Sequence, residues 1–144
     1  AVEAVSASNS GTPSKAVKQF HEQILKKANQ ALWDVPLEQR SISAVTMAEL
    51  SAGPHATDEP DERARRQDRL QRLESWVEPI PFDGDCARAF GRIYAAVLST
   101  GRQPRRRMAD LLIAATALAV GLPLYTRNAD DFRGLEHILT VIAI

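Results

Sequence analysis

Met-Ala-Asp-Leu-Leu-Ile-Ala-Ala-Thr-Ala at residues 108–117 and Leu-Pro-Leu-Tyr-Thr-Arg-Asn-Ala-Asp-Asp-Phe at residues 122–132 decide how this chain reads. The first stretch opens an apolar helix with one acid. Asp110 stands just ahead of the apolar run 111–120, where a charged side chain would be costly to bury unless it sat at the open end. Gly121 stops the helix, residues 122–126 follow as a strand, and Asp131 arrives immediately after it. A third acid, Glu49, ends the segment 42–50 in the same manner. Carboxylates delivered by strand ends and helix starts to one rim of an α/β sheet suit a divalent cation. Mg²⁺ takes hard oxygen ligands and retains waters for a phosphate substrate.

The composition bounds the rest. A length of 144 residues with 44% hydrophobic content fits one domain with one core. No run of about 18 apolar residues could span a bilayer, and the N-terminus lacks the basic-then-apolar order of a secretory signal. A soluble, cytoplasmic protein without a membrane partner is the expectation. The single cysteine, Cys86, excludes an internal disulfide framework and any Cys-based zinc site. It reads as a small packed helix residue, and carboxylates are left as the metal option. With a formal net charge of zero, only local segregation of charge could hold nucleic acid. Arg102, Arg105, Arg106 and Arg107 supply such a segregation directly upstream of Asp110.

Periodicity orders the elements. Residues 2–9 read as a short strand, and residues 12–33 as a helix capped at Thr12 with Val17, Phe20, Ile24 and Leu25 on its apolar face. Residues 41–46 read as a strand passing into a helix at Met47. Residues 61–76 form a strongly charged helix with Leu70, Leu73 and Trp76 on one side, and residues 77–82 a short edge strand interrupted by Pro79 and Pro81. A helix over 83–99 is capped by Asp83, with Ala87, Phe90, Ile93, Tyr94, Val97 and Leu98 as its buried stripe. After a basic loop at 101–107 and the helix already described, strands at 122–126 and 138–144 close the chain. Strands alternating with helices imply a mostly parallel sheet covered on both faces.

From about Ser41 onward the chain resembles the PIN-domain ribonucleases, in particular the VapC-type toxins of toxin–antitoxin pairs. Ile-Ser-Ala-Val-Thr-Met-Ala-Glu-Leu at 42–50 looks like the family's second strand and its acid, Glu49. Ala-Asp-Leu-Leu-Ile-Ala-Ala-Thr-Ala at 109–117 looks like the helix start carrying the next acid, Asp110. Leu-Tyr-Thr-Arg-Asn-Ala-Asp-Asp-Phe at 124–132 looks like the closing strand and turn, with Asn128 at an Asp-or-Asn position and an acid at Asp131. The resemblance implies a three-layer α/β/α fold with a mostly parallel central sheet. It implies an Mg²⁺- or Mn²⁺-dependent endoribonuclease toxin in which Glu49, Asp110 and Asp131 are the catalytic metal ligands. Asn128 and Thr126 would be supporting groups, and Arg105, Arg106 and Arg107 would contact RNA. A VapB-type antitoxin, whose C-terminal arm lies over the active-site groove, and a homodimer are the partners it implies.

The chain departs from this family at its start. The family opens with an apolar strand ending in an aspartate, whereas residues 1–10 offer only Glu3 and Asn9. All four lysines fall before residue 28 and thirteen of the fourteen arginines after Arg40. Residues 1–36 are accordingly an atypical segment, read either as foreign or altered sequence or as a helix carrying lysine on its exposed face. Two other functions compete: a catalytically impaired PIN-like binding module, and a metal-dependent nuclease or phosphatase acting on DNA. For Glu49 and Asp110 the alternative is that of acids favoured at helix N-termini by the macrodipole, worth about 0.3–1 kcal/mol each. For the arginine run the alternative is a solvated loop.

Overall fold

A computed structural model describes residues 4–6, 39–75 and 77–144. Their elements, in chain order, are β1 (Ala4–Ser6), β2 (Arg40–Ser41), α1 (Ala44–Ala52), α2 (Pro60–Glu74), α3 (Gly84–Ser99), α4 (Met108–Val120), β3 (Leu124–Thr126) and β4 (Val141–Ala143). Short 3₁₀ turns at Gly53–Ala56, Pro104–Arg107 and Ala129–Phe132 join them. Alternating strands and helices give the α/β class that the sequence implied. The helix at 12–33, Trp76, Glu3 and Asn9 lie outside the described residues.

Local chemistry explains where the helices start and stop. Ser43 caps α1: its hydroxyl accepts the Thr46 N–H at 3.0 Å and lies 3.1 Å from the Thr46 hydroxyl. The helix therefore begins at Ala44, three residues earlier than the expected Met47, because the cap satisfies a backbone donor that an extended chain would have paired across the sheet. Asp83 caps α3 as expected, accepting the Cys86 N–H at 3.0 Å. The buried face of α3 is Cys86, Ala89, Ile93, Ala96 and Val97. Ala87 and Leu98, expected in that stripe, lie on the exposed side of the helix. Phe90 and Tyr94 are half-buried and meet with tilted rings 5.9 Å apart. Gly121 ends α4 in a left-handed conformation, φ +71°, which its missing side chain permits.

α4 is the hub. Leu111, Ile113, Ala114, Ala115, Thr116 and Ala117 are all buried along it. Its small residues let α3 approach closely, and these two helices share the most extensive contact among the described elements. Leu124, Phe132, Leu135 and Leu139 complete the same core. By contrast α2 buries only Leu70.

The strand order is β2-β1-β3-β4. β3 pairs with β4 in parallel, Tyr125 opposite Ile142, and Ser43 makes a parallel bridge to Ile80, with Ile80 N–H bonded to Ile42 O and Ala44 N–H to Ile80 O, each at 2.8 Å. The parallel character expected of the sheet is found in these pairings. β1 differs, running antiparallel to both β2 and β3. Three residues, Ala-Val-Ser, carry no alternation that could fix a strand's direction. The strand expected over 77–82 shrinks to the bridge at Ile80, because Pro79 and Pro81 on either side of it have no N–H to donate. The last strand is confined to Val141–Ala143 because Leu135 O already accepts from Ile138 and Leu139 in a preceding turn. Among the described residues, no helix is long and apolar enough to cross a membrane.

Candidate active site

The rim of the fold at the start of α4 brings the sequence-chosen acids into neighbouring elements. Pro104 opens the 3₁₀ turn that delivers the chain to Met108, and its fixed φ suits that first helical position. Asp110 is then the third residue of α4, half-buried, next to fully buried Leu111. Among the described residues its carboxylate makes no hydrogen bond or ion pair. The positive end of the helix dipole is what favours its charge.

Glu49 lies on α1, which packs against α4, and its side chain is exposed. Asp131 is carried by the 3₁₀ turn after β3, which also touches α4. Asp110 thus occupies the element that joins those of the other two acids. Among the described residues, however, no three His, Cys, Asp or Glu side chains gather closely enough to hold a metal ion.

The turn at Asp131 is built from inside out. Thr126 is fully buried, and its hydroxyl accepts the Asn128 N–H at 3.1 Å. Asn128 O in turn accepts the Asp131 N–H at 2.9 Å. Phe132, 1% exposed, anchors the turn in the core. This anchoring separates the paired acids: Asp130 points to solvent, bonded at 2.8 Å to Arg133, while Asp131 is the half-buried member. The hydroxyl of Thr126 is occupied in shaping the turn, and Asn128 stands exposed at its start.

Of the three arginines chosen for RNA contact, Arg105 and Arg106 are exposed, whereas Arg107 is half-buried. The Arg107 guanidinium donates from Nη1 to Asp131 Oδ1, an ion pair across 24 positions of sequence. That pair escaped the sequence reading, as did the place of Arg102 beside it. No local pattern could have revealed either one. Cys86 is buried on α3, its thiol directed at Pro81 O at 3.6 Å. Burial pushes this thiol's pKa above the ordinary cysteine value, which agrees with the packing role expected of it.

The sequence profile described as PIN domain matches residues 16–137. This chain belongs to the PIN-domain family. Ribonuclease VapC5 of Mycobacterium tuberculosis is 33% identical over 133 residues, spanning 92% of this chain and 96% of that relative. VapC ribonuclease Y4jK of Sinorhizobium fredii is 34% identical over 110 residues, 71% of this chain and 75% of its own. Among solved structures, a member of the VapBC family of toxin–antitoxin systems, VapBC-5 from M. tuberculosis, superposes with a TM-score of 0.65 at 34% identity. That match covers 72% of this PIN-domain chain and 81% of the other.

Proposed function

We propose that this PIN-domain protein is a VapC-type endoribonuclease, the toxin of a type II toxin–antitoxin pair. The observation that carries the reading is Asp110: a half-buried carboxylate, unpartnered among the described residues, at the head of the helix that buries most side chains among them, flanked by the elements of Glu49 and Asp131. The two VapC ribonuclease relatives support it. A VapB-type antitoxin is the proposed partner, supported by the toxin–antitoxin structure that this fold matches. A homodimer and a cytoplasmic location complete the proposal.

The residues present suit Mg²⁺ or Mn²⁺. Mg²⁺ is commonly held by one or two carboxylates together with waters and substrate phosphate, so a finished three-acid cage is not required. Asp110 would hold the ion, with Glu49 and Asp131 reaching it through water, and a bound ion would supply an activated water and offset charge on the phosphate. The protein's own contribution is positional. α4 fixes Asp110 through its buried face, Phe132 fixes the turn of Asp131, and Arg107 holds the Asp131 carboxylate at the rim. Arg105 and Arg106, exposed in front of α4, would take phosphates of the RNA strand.

A second reading has one observation in its favour. The lack of three gathered acids among the described residues is what a non-catalytic binding module would show. Cleavage of a mixed-sequence RNA by purified protein, with and without Mn²⁺, decides between them. Mn²⁺-dependent cleavage that disappears in Asp110→Asn supports the nuclease, and folded wild-type protein that binds Mn²⁺ without cutting supports the module.

A further inference from the structure

Beside Asp131 a cavity of about 320 Å³ opens between the end of α3 and the start of α4. Val97, Pro104 and Leu111, all buried, give it an apolar floor. Arg102, Arg106 and Arg107 line it together with a single acid, Asp131. Arg107 is neutralised by that acid. Arg102 commits one nitrogen, Nη1, to Arg133 O at 3.1 Å and retains the rest of its guanidinium. Arg106 is exposed and, among the described residues, has no hydrogen bond or ion pair. Two guanidinium groups with donors to spare therefore border an apolar recess at the low end of small-molecule pocket sizes, roughly 300 Å³.

We propose that this cavity receives one nucleotide of single-stranded RNA. Arg102 and Arg106 take its phosphate, and Val97, Pro104 and Leu111 support its sugar or base. The inference rests on the ribonuclease reading and adds to it a nucleotide subsite adjoining the acids. Guanidinium forks match phosphate oxygens in pairs, and the apolar floor matches the other half of an amphipathic ligand. The volume admits one unpaired nucleotide and no base pair, in keeping with recognition of splayed, unstacked RNA. An acidic peptide would use the arginines but leave the apolar floor without a counterpart.

The test is fluorescence anisotropy of a 5′-fluorescein-labelled single-stranded oligoribonucleotide in EDTA, where no cutting intervenes. Arg106→Ala should weaken binding about tenfold, the loss of one charged hydrogen-bonding group. It should also flatten the dependence of log affinity on log salt by about 0.7. Arg88→Ala removes the same charge from the far end of α3 and should change neither. Mixed nucleoside 5′-monophosphates should displace the RNA from wild-type protein. Arg106 has no hydrogen bond or ion pair among the described residues to lose, so Arg106→Ala should melt like wild type; Arg102→Ala, which gives up its bond to Arg133 O, is the supporting variant. Equal binding by Arg106→Ala and Arg88→Ala would overturn the subsite, as would no RNA binding by wild type, or displacement by a poly-glutamate peptide but not by nucleotides. Arg106-dependent binding without Mn²⁺-dependent cleavage would remove the nuclease reading and leave the subsite standing.

Discussion

α4 and α2 are similar in length, 13 and 15 residues, and are held in opposite ways. α4 buries six side chains and carries one charged residue, Asp110. α2 buries Leu70 alone and is braced on its own surface: Glu62 pairs with Arg65 and Arg66 at 2.9 and 2.8 Å, and Asp68 with Arg72 at 2.8 Å. Two bonds, from Arg66 to Gly53 O at 3.0 Å and from Arg63 to Thr57 O at 2.9 Å, tie α2 to the segment before it. The difference teaches where chemistry should be sought. The acids paired within α2 are already satisfied by neighbouring arginines, whereas the lone acid of α4 has no counter-ion among the described residues and stands on a buried helix. Rigidity and an unsatisfied charge together make a carboxylate available to a ligand.

If α4 is the hub, the largest effect should come from loosening what packs on it. Phe132→Ala should cost about 3–5 kcal/mol, the usual range for deleting a buried phenyl ring, read as a lowered midpoint in urea. A loss below about 1 kcal/mol would break the contrast, since the Asp131 turn would then not depend on the core.

Asp110→Asn comes next and sharpens the same contrast. RNA cleavage in Mn²⁺ should fall roughly a hundredfold or more, equivalent to about 2.7 kcal/mol of barrier. Stability should change by less than about 1 kcal/mol, because the substitution keeps size and loses only the dipole interaction. Full cleavage by a folded mutant would remove Asp110 from the active site.

The part of the fold around α4 was legible because its evidence is local. Apolar period, the Asp83 cap, the Gly121 stop and the anchoring Phe132 each act within a few residues, so α3, α4, β3 and a turn that keeps Asp131 less exposed than Asp130 could be read directly. What could not be read depends on partners distant in sequence. The Arg107–Asp131 pair spans 24 positions, the cavity joins Val97 to Asp131, and β1 takes its direction from strands on either side. The start of α1 was misplaced for another reason. β-branched Ile42, Val45 and Thr46 read as a strand, and one serine hydroxyl overrode that preference. The acids could be picked from sequence only as candidates on neighbouring elements, and their surroundings could not be read at all: Arg107, expected to contact RNA, is the counter-ion of Asp131.

On the α2 side the effects should be smaller. Leu70→Ala removes the helix's one buried side chain, which is still 9% exposed, and a residue at the margin of the core should cost about 1–2 kcal/mol, less than one in a sealed interior. RNA cleavage should be unaffected, because α2 carries none of the acids proposed for the site. Cleavage that fell in step with stability would mean that α2 supports the active site after all.

Glu62→Gln should have the smallest effect, and its pH dependence distinguishes it from a core change. The Arg66 side-chain hydrogen bond, followed by that of Arg65, holds the Glu62 carboxyl below the ordinary glutamate pKa. A carboxyl lowered in the folded state adds stability above its unfolded pKa and loses that contribution as pH falls through the folded value. Wild type and Glu62→Gln should therefore differ slightly near pH 7 and converge in acid. The gap should also shrink in high salt, because the pair is exposed and screened. Thermal melts at several pH values and salt concentrations check this. A difference that persisted at low pH would mean that Glu62 acts through packing, and the charged helix would then be held in the same manner as the apolar one.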